Sequence, residues 1–160
     1  MVGRSKRSFC LLRCGSGESI QLFFSYAETD LTPVIALPGE TGGKAYGGYA
    51  GLSLRLAKST RGGTFSNCAG AAGETALHGQ PAGWVKYSAG PGLPAVTIFD
   101  DPKNLGYPVK WYVNQGMPYF SPSPLFAKPL TLAAGEKLVL SYQIRIADHD
   151  GCLLTPCPTP

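Results

Sequence analysis

Apolar and polar residues alternate most strictly in KLVLSYQIRIA, residues 137–147, with Leu138, Leu140, Tyr142, Ile144 and Ile146 on one face and Lys137, Val139, Ser141, Gln143 and Arg145 on the other. Successive side chains of a strand point to opposite sides, so the pattern predicts a long strand with one face in a core. LTLAAGE just before it supplies a short strand at 130–132 and a turn at 134–135, and 129–147 therefore reads as a hairpin. AGLSLRLA, 50–57, alternates in the same way, with Leu52, Leu54 and Leu56 inward and Ser53 and Arg55 outward. Shorter candidates are IQLFFSYA (20–27), GWVKYS (83–88), AVTIF (95–99) and KWYVN (110–114), each bounded by glycine or proline. No window carries the i, i+3, i+4, i+7 stripe of an amphipathic helix. Short strands at fairly even spacing predict an all-β fold, an antiparallel β-sandwich.

Between the strands, ALPGETGGKAYGGY (36–49) and RGGTFSNCAGAAGETALHGQPAG (61–83) have no periodic pattern, and both are candidate walls of a site. The stretch TIFDDPKNLGYPVKWYVNQGMPYFSPSPLF, 97–126, threads prolines between aromatic rings and reads first as a stiff connector. Glycine (21) and proline (14) together exceed a fifth of the chain while the apolar fraction stays at 44%, which agrees with strands joined by turns. At 160 residues one domain with a real core is possible.

Charge changes the picture little. Of a net +4, Arg4, Lys6, Arg7 and Arg13 account for the whole excess, and no recognition motif accompanies them, so no nucleic-acid partner is expected. GETGGK lacks the spacing of a phosphate loop. The apolar core FCLL is too short for a signal peptide and no run is long enough to span a bilayer as a helix, so neither export nor a membrane partner is expected and the chain reads as cytoplasmic. Five cysteines, Cys10, Cys14, Cys68, Cys152 and Cys157, exclude a complete disulfide framework and leave free thiols or one terminal disulfide as the readings. With only His78 and His149, no metal site and no cofactor are expected.

The ordered set YGGYAGLSLRLAK (46–58), WVKYSAG (84–90), IFDDPKN (98–104), PVKWYVN (108–114), YFSPSPLF (119–126) and PLTLAAGEKLVLSYQI (129–144) resembles a bacterial family commonly labelled the PmoA family, of methane-oxygenase-like designation and unknown function. The resemblance covers roughly 31–151, so 1–30 is read as a poorly matching basic leader, 31–151 as the sandwich domain and 152–160 as a Pro/Cys tail. Asp101 stands where that family usually has histidine. More distantly the pattern resembles half of the large galactose-mutarotase-like sandwich, which implies a carbohydrate ligand and an epimerase- or lyase-like proton transfer. A non-catalytic carbohydrate-recognition or structural module is the alternative, and an oxygenase-related protein a distant one.

The residues offer matching chemistry. Asp100 at a strand end, with Asn104, Trp111, Tyr112 and Tyr119 following, supplies acceptors for hydroxyls and flat faces for a sugar ring, although Asp-Asp-Pro-x-Asn is also good turn chemistry. Adjacent carboxylates on an extended chain diverge, so Asp100 and Asp101 do not form a dyad. Catalytic expectations therefore fall on His149, whose imidazole titrates near neutral pH, with Asp100 and with Glu74 from the long loop. Arg55, outward on its strand, is a candidate ligand-binding fork. An incomplete sandwich leaves sheet edges open, and a homo-oligomer through them is a possible partner arrangement.

Overall fold

The computed structural model describes residues 7–13, 18–27, 30–31, 52–127, 130–131 and 136–147, the first three segments and residue 131 by their backbone alone. The strands are β1 (Arg7–Arg13), β2 (Glu18–Ala27), β3 (Asp30–Leu31), β4 (Leu54–Arg55), β5 (Thr64–Asn67), β6 (Trp84–Ser88), β7 (Ala95–Asp100), β8 (Trp111–Asn114), β9 (Tyr119–Pro122), β10 (Leu130–Thr131) and β11 (Lys137–Ala147). A single-turn helix, α1 (Glu74–Leu77), lies between β5 and β6. Six strands form one sheet in the order β1-β2-β11-β7-β6-β5, three form another in the order β4-β9-β8, and β10 pairs with β3. All pairings are antiparallel. The protein is an all-β antiparallel sandwich, as its alternating pattern predicts.

Both sheets feed one core. From the larger come Phe65, Val85, Tyr87, Ile98, Leu138, Leu140, Tyr142 and Ile144, and from the smaller Trp111, Val113 and Phe120, with Leu77 of α1 and Leu52 among them. Phe65 and Phe120 meet edge to face across the two layers at 5.3 Å between centroids, and Phe65 packs on Tyr87 at 4.6 Å. In β11 the inward series Leu138 to Ile144 is buried while Lys137, Val139 and Gln143 are exposed, so the expected parity holds along the strand. Rows such as Val85, Ile98 and Ile144 stand directly opposite one another in β6, β7 and β11.

Three local expectations are corrected. The hairpin over 129–147 does not form: β10 pairs with β3, while β11 pairs with β2 over Lys137–Ile146 and with β7 over Tyr142–Ala147. The proline-rich stretch 97–126 is more than a connector, since Tyr119–Pro122 is the central strand of the smaller sheet. Its proline stands at the strand's end, where a missing N–H costs least. Within the apparently structureless 61–83, Thr64–Asn67 forms an edge strand of the larger sheet.

That loop also shields the edges. After β5 the chain folds back on it, Gly73 N–H donating to Phe65 O and Asn67 N–H to Ala71 O, with the Asn67 carboxamide oxygen accepting from Ala69 and Ala71. The pairing of β2 with β11 puts 18–27 in the larger sheet. Cys68, half-buried against the core, is disulfide-bonded, and the side chains of the other four cysteines lie outside the described residues. Among the described residues no helix is long and apolar enough to cross a membrane.

Candidate functional site

Asp100 ends β7 with its side chain on the inward side, 5% exposed. One carboxylate oxygen accepts from Asn104 Nδ2 at 2.7 Å and the other from Val109 N–H at 3.2 Å. Burial pushes its carboxyl up to about 6, against the pull of these two hydrogen bonds. Asn104, 7% exposed, uses its amide in a second direction as well: Nδ2 donates to Ser141 O at 2.6 Å and Oδ1 accepts from Ser141 N–H at 2.8 Å. Regular pairing between β7 and β11 ends at Asp100 opposite Tyr142, and Ser141 is the next residue of β11. The Asn104 carboxamide thus stands in for a strand residue just where the turn begins. Asp101 closes that turn by accepting from Lys103 N–H, at 2.9 Å. The Asp-Asp-Pro-x-Asn segment is a turn in which Asp100 and Asn104 are enclosed, Asp101 is half-buried and Lys103 is exposed.

Glu74 and His78 flank a second backbone problem, the outer edge of β8. Glu74 Oε2 accepts from Gln115 N–H at 2.6 Å, while Gln115 Oε1 accepts from Glu74 N–H at 3.3 Å. His78 Nδ1 lies 3.1 Å from Val113 O and 3.4 Å from Val113 N. Gly79 N–H donates to Trp111 O, Trp111 N–H to Gln80 O, and Ala82 N–H to Val109 O. Side chains and backbone of 74–82 therefore serve as a neighbour to β8 and cover its edge. Gln115 and Val109, the partners of Glu74 and Asp100, sit at opposite ends of that strand, about 20 Å apart for six residues of extended chain. The two carboxylates expected to share a cleft do not converge. His149, expected to join them, lies outside the described residues.

The outward face of the smaller sheet is different in kind. Register places Arg55 opposite Tyr119 and Tyr119 opposite Asn114, with Tyr112 and Ser121 forming the next pair. Tyr119 and Tyr112 meet edge to face at 5.6 Å, Tyr112 and His78 at 4.8 Å, and His78 and Phe126 at 5.8 Å. Lys110 Nζ stands 5.7 Å from the Phe126 ring centre. All four rings are half-buried, whereas Arg55 and Lys110 are exposed. Three of the residues expected to touch ligand, Arg55, Tyr112 and Tyr119, share this face.

Trp111 does not join them. It has the opposite parity from Tyr112, is wholly buried, and its indole N–H donates to Ala82 O at 2.8 Å, so it is a core residue rather than a sugar platform. His78, Phe126 and Lys110 were not singled out by pattern as ligand contacts. Lys110 and Tyr112 share parity in KWYVN, and that spacing was the available signal for the lysine; nothing local connects His78 or Phe126 to β8. A shallow groove of about 800 Å³ lies beside the turn after β8, lined by Arg61, Glu74, Thr75 and Gln115 among small residues. Among the described residues no group of three His, Cys, Asp or Glu side chains is placed to hold a metal ion.

Comparison with known proteins gives one positive result. The model of a family of unknown function, DUF6807, matches residues 19–151, over four fifths of the chain, beginning within β2. No curated protein and no solved structure shows significant similarity. The match corrects the resemblance to the PmoA family: the motifs that carried it fall inside a stretch assigned to DUF6807, and nothing points to a methane-oxygenase relative.

Proposed function

The chain belongs to this family of unknown function, and we propose that it is a carbohydrate-recognition protein that binds its ligand on the outward face of the β4-β9-β8 sheet. The observation that carries the reading is the continuous row of rings Tyr119, Tyr112, His78 and Phe126, set on a sheet and bordered by Arg55, Asn114 and Lys110. Sugar rings have apolar C–H faces rimmed by hydroxyls, so a recognition surface needs flat apolar area beside fixed donors and acceptors. The sheet gives Tyr112 and Tyr119 rigid positions, which lowers the ordering cost of binding.

Recognition is favoured over catalysis by the fate of the acids. Asp100 is enclosed by Asn104 and Val109, Glu74 is tied to Gln115, and β8 holds the two apart. The mutarotase-like proton transfer that the resemblance implies needs two groups within reach of the same substrate, and among the described residues these two carboxylates do not share one. The disulfide at Cys68 supports an oxidising compartment, where polysaccharides are abundant, over the cytoplasm.

The test is a glycan array followed by calorimetry on the best ligand. Tyr112→Ala and Tyr119→Ala should each weaken binding by about tenfold, the value of one aromatic contact, with melting curves checking that each variant folds. Proton NMR of the bound sugar should show unchanged anomers. Binding that survives both substitutions, or turnover of the sugar, refutes the proposal.

A further inference from the structure

Resting on that reading, we propose that the ligand is an acidic glycan, a chain of uronic acid units whose carboxylates are held by Arg55 and Lys110 while the rings between contact the sugars.

The two cations bracket the ring row. Arg55 stands in register with Tyr119 at one end, and Lys110 is held over Phe126 at the other. Arg55 is two strands across from Asn114, and Lys110 is four residues along β8 from it, so the two are about 16 Å apart at sheet spacings. That separation exceeds a single sugar and suits a short oligosaccharide. A ligand spanning it meets a positive charge at both ends.

Among the described residues the same face offers no opposing charge. Its outward positions on β4, β8 and β9, with their flanking residues, are Ser53, Arg55, Lys110, Tyr112, Asn114 and Tyr119, with the buried Ser121 at the same parity, none of them acidic. The acids described close to this sheet are committed elsewhere, Asp100 inside the turn after β7 and Glu74 to the Gln115 N–H. A neutral glycan would use the rings and leave the two cations idle, whereas a polyuronate uses both. The arginine fork matches a carboxylate in two parallel hydrogen bonds, and the lysine contributes a point charge that need not be aligned.

The experiment compares a galacturonate oligosaccharide with the same oligosaccharide after reduction of its carboxyl groups, by calorimetry in low salt. The acidic form should bind at least tenfold more tightly. Arg55→Gln and Lys110→Gln, both at exposed positions, should each cost several-fold more toward the acidic form than toward the reduced form. Raising salt from low to moderate ionic strength should narrow the gap. Equal affinity for the two forms overturns this inference while leaving carbohydrate recognition standing. Failure to bind either form, or preference for a single-stranded oligonucleotide of equal charge, overturns both.

Discussion

Replacing Asn104 by alanine removes three hydrogen bonds at once, two to the backbone of Ser141 and one to the Asp100 carboxylate. A neutral hydrogen bond contributes about 1 kcal/mol net and one to a charged group about 1.5–3 kcal/mol, so the loss should be about 3–5 kcal/mol. Domains of this size are stable by roughly 5–15 kcal/mol, and the variant would fold with a melting temperature about 10 °C lower. Circular dichroism melts at neutral pH measure the shift, and hydrogen exchange at the Ser141 amide localises it. Asn104→Asp discriminates further. Its carboxylate would turn lone pairs toward Asp100 and Ser141 O where a donor now sits, so it should be less stable than the alanine variant at neutral pH and recover on acidification. A melting shift below about 2 °C for Asn104→Ala, or protection at Ser141 equal to wild type, would refute the claim that this amide substitutes for a strand residue.

Asp100 makes stability depend on pH in an unusual direction for a carboxylate. Its folded-state value of about 6 lies above 3.8, so its favourable contribution is complete below about pH 4 and disappears as pH rises through 6, on the order of 3 kcal/mol. Urea titrations at pH 4 and pH 7.5 should show wild type losing stability relative to Asp100→Asn; parallel behaviour would exclude the shift. Gly79 has φ +74° and a Cβ there would come within 3.2 Å of the Phe126 ring, whereas Gly70, at φ +79°, has open space around it. Gly79→Ala should therefore cost more than Gly70→Ala, about 1–2 kcal/mol against about 1, and only Gly79→Ala should weaken glycan binding. Glu74→Gln keeps an acceptor for Gln115 N–H and should stay within about 1 kcal/mol of wild type, while Glu74→Ala costs about 1–3 kcal/mol; equal effects in melts would argue against the edge-covering role. A disulfide removes two thiols, so no more than three of the five cysteines should react with a thiol reagent in denaturant before reduction, and all five after it. Five reactive thiols beforehand would contradict the bond at Cys68.

The strands that could be read from the chain are those whose apolar residues carry the pattern alone. β11 shows its parity over eleven residues, and β6, β7 and β8 fall within a residue or two of the segments 83–88, 95–99 and 110–114. β5 and β9 escaped because TFSN and YFSP each bury one large apolar side chain, Phe65 and Phe120, beside small polar residues. Ser121 and Ser123 are buried by hydrogen bonds to Leu52 O and Ser121 O, a compensation that hydropathy does not register. Partner choice was less accessible still. Proximity along the chain favours β10 as the neighbour of β11, yet β11 pairs with β2 over Lys137–Ile146 and with β7 over Tyr142–Ala147, while the two-residue β10 pairs with β3.

The polar residues that the sequence marks as candidates are largely those that close strand ends. A sandwich built from short strands and many turns has many strand ends, and each end leaves backbone N–H and C=O groups that must find partners. Carboxylates, carboxamides and imidazoles suit that need, because each presents donors or acceptors at the reach of a neighbouring strand. Asn104 at Ser141, Glu74 at Gln115, His78 at Val113 and Asn67 at Ala69 and Ala71 all serve in this way. In sequence such residues look like a catalytic set, since the types are identical and only their partners differ. Asp100, Asn104, Trp111 and Glu74 thus serve the fold, whereas on the proposed recognition face Arg55, Tyr112 and Tyr119 stand at outward parity, and the packing of 78–80 and 123–126 against β8 sets the rings of His78 and Phe126 and the ammonium of Lys110 beside them.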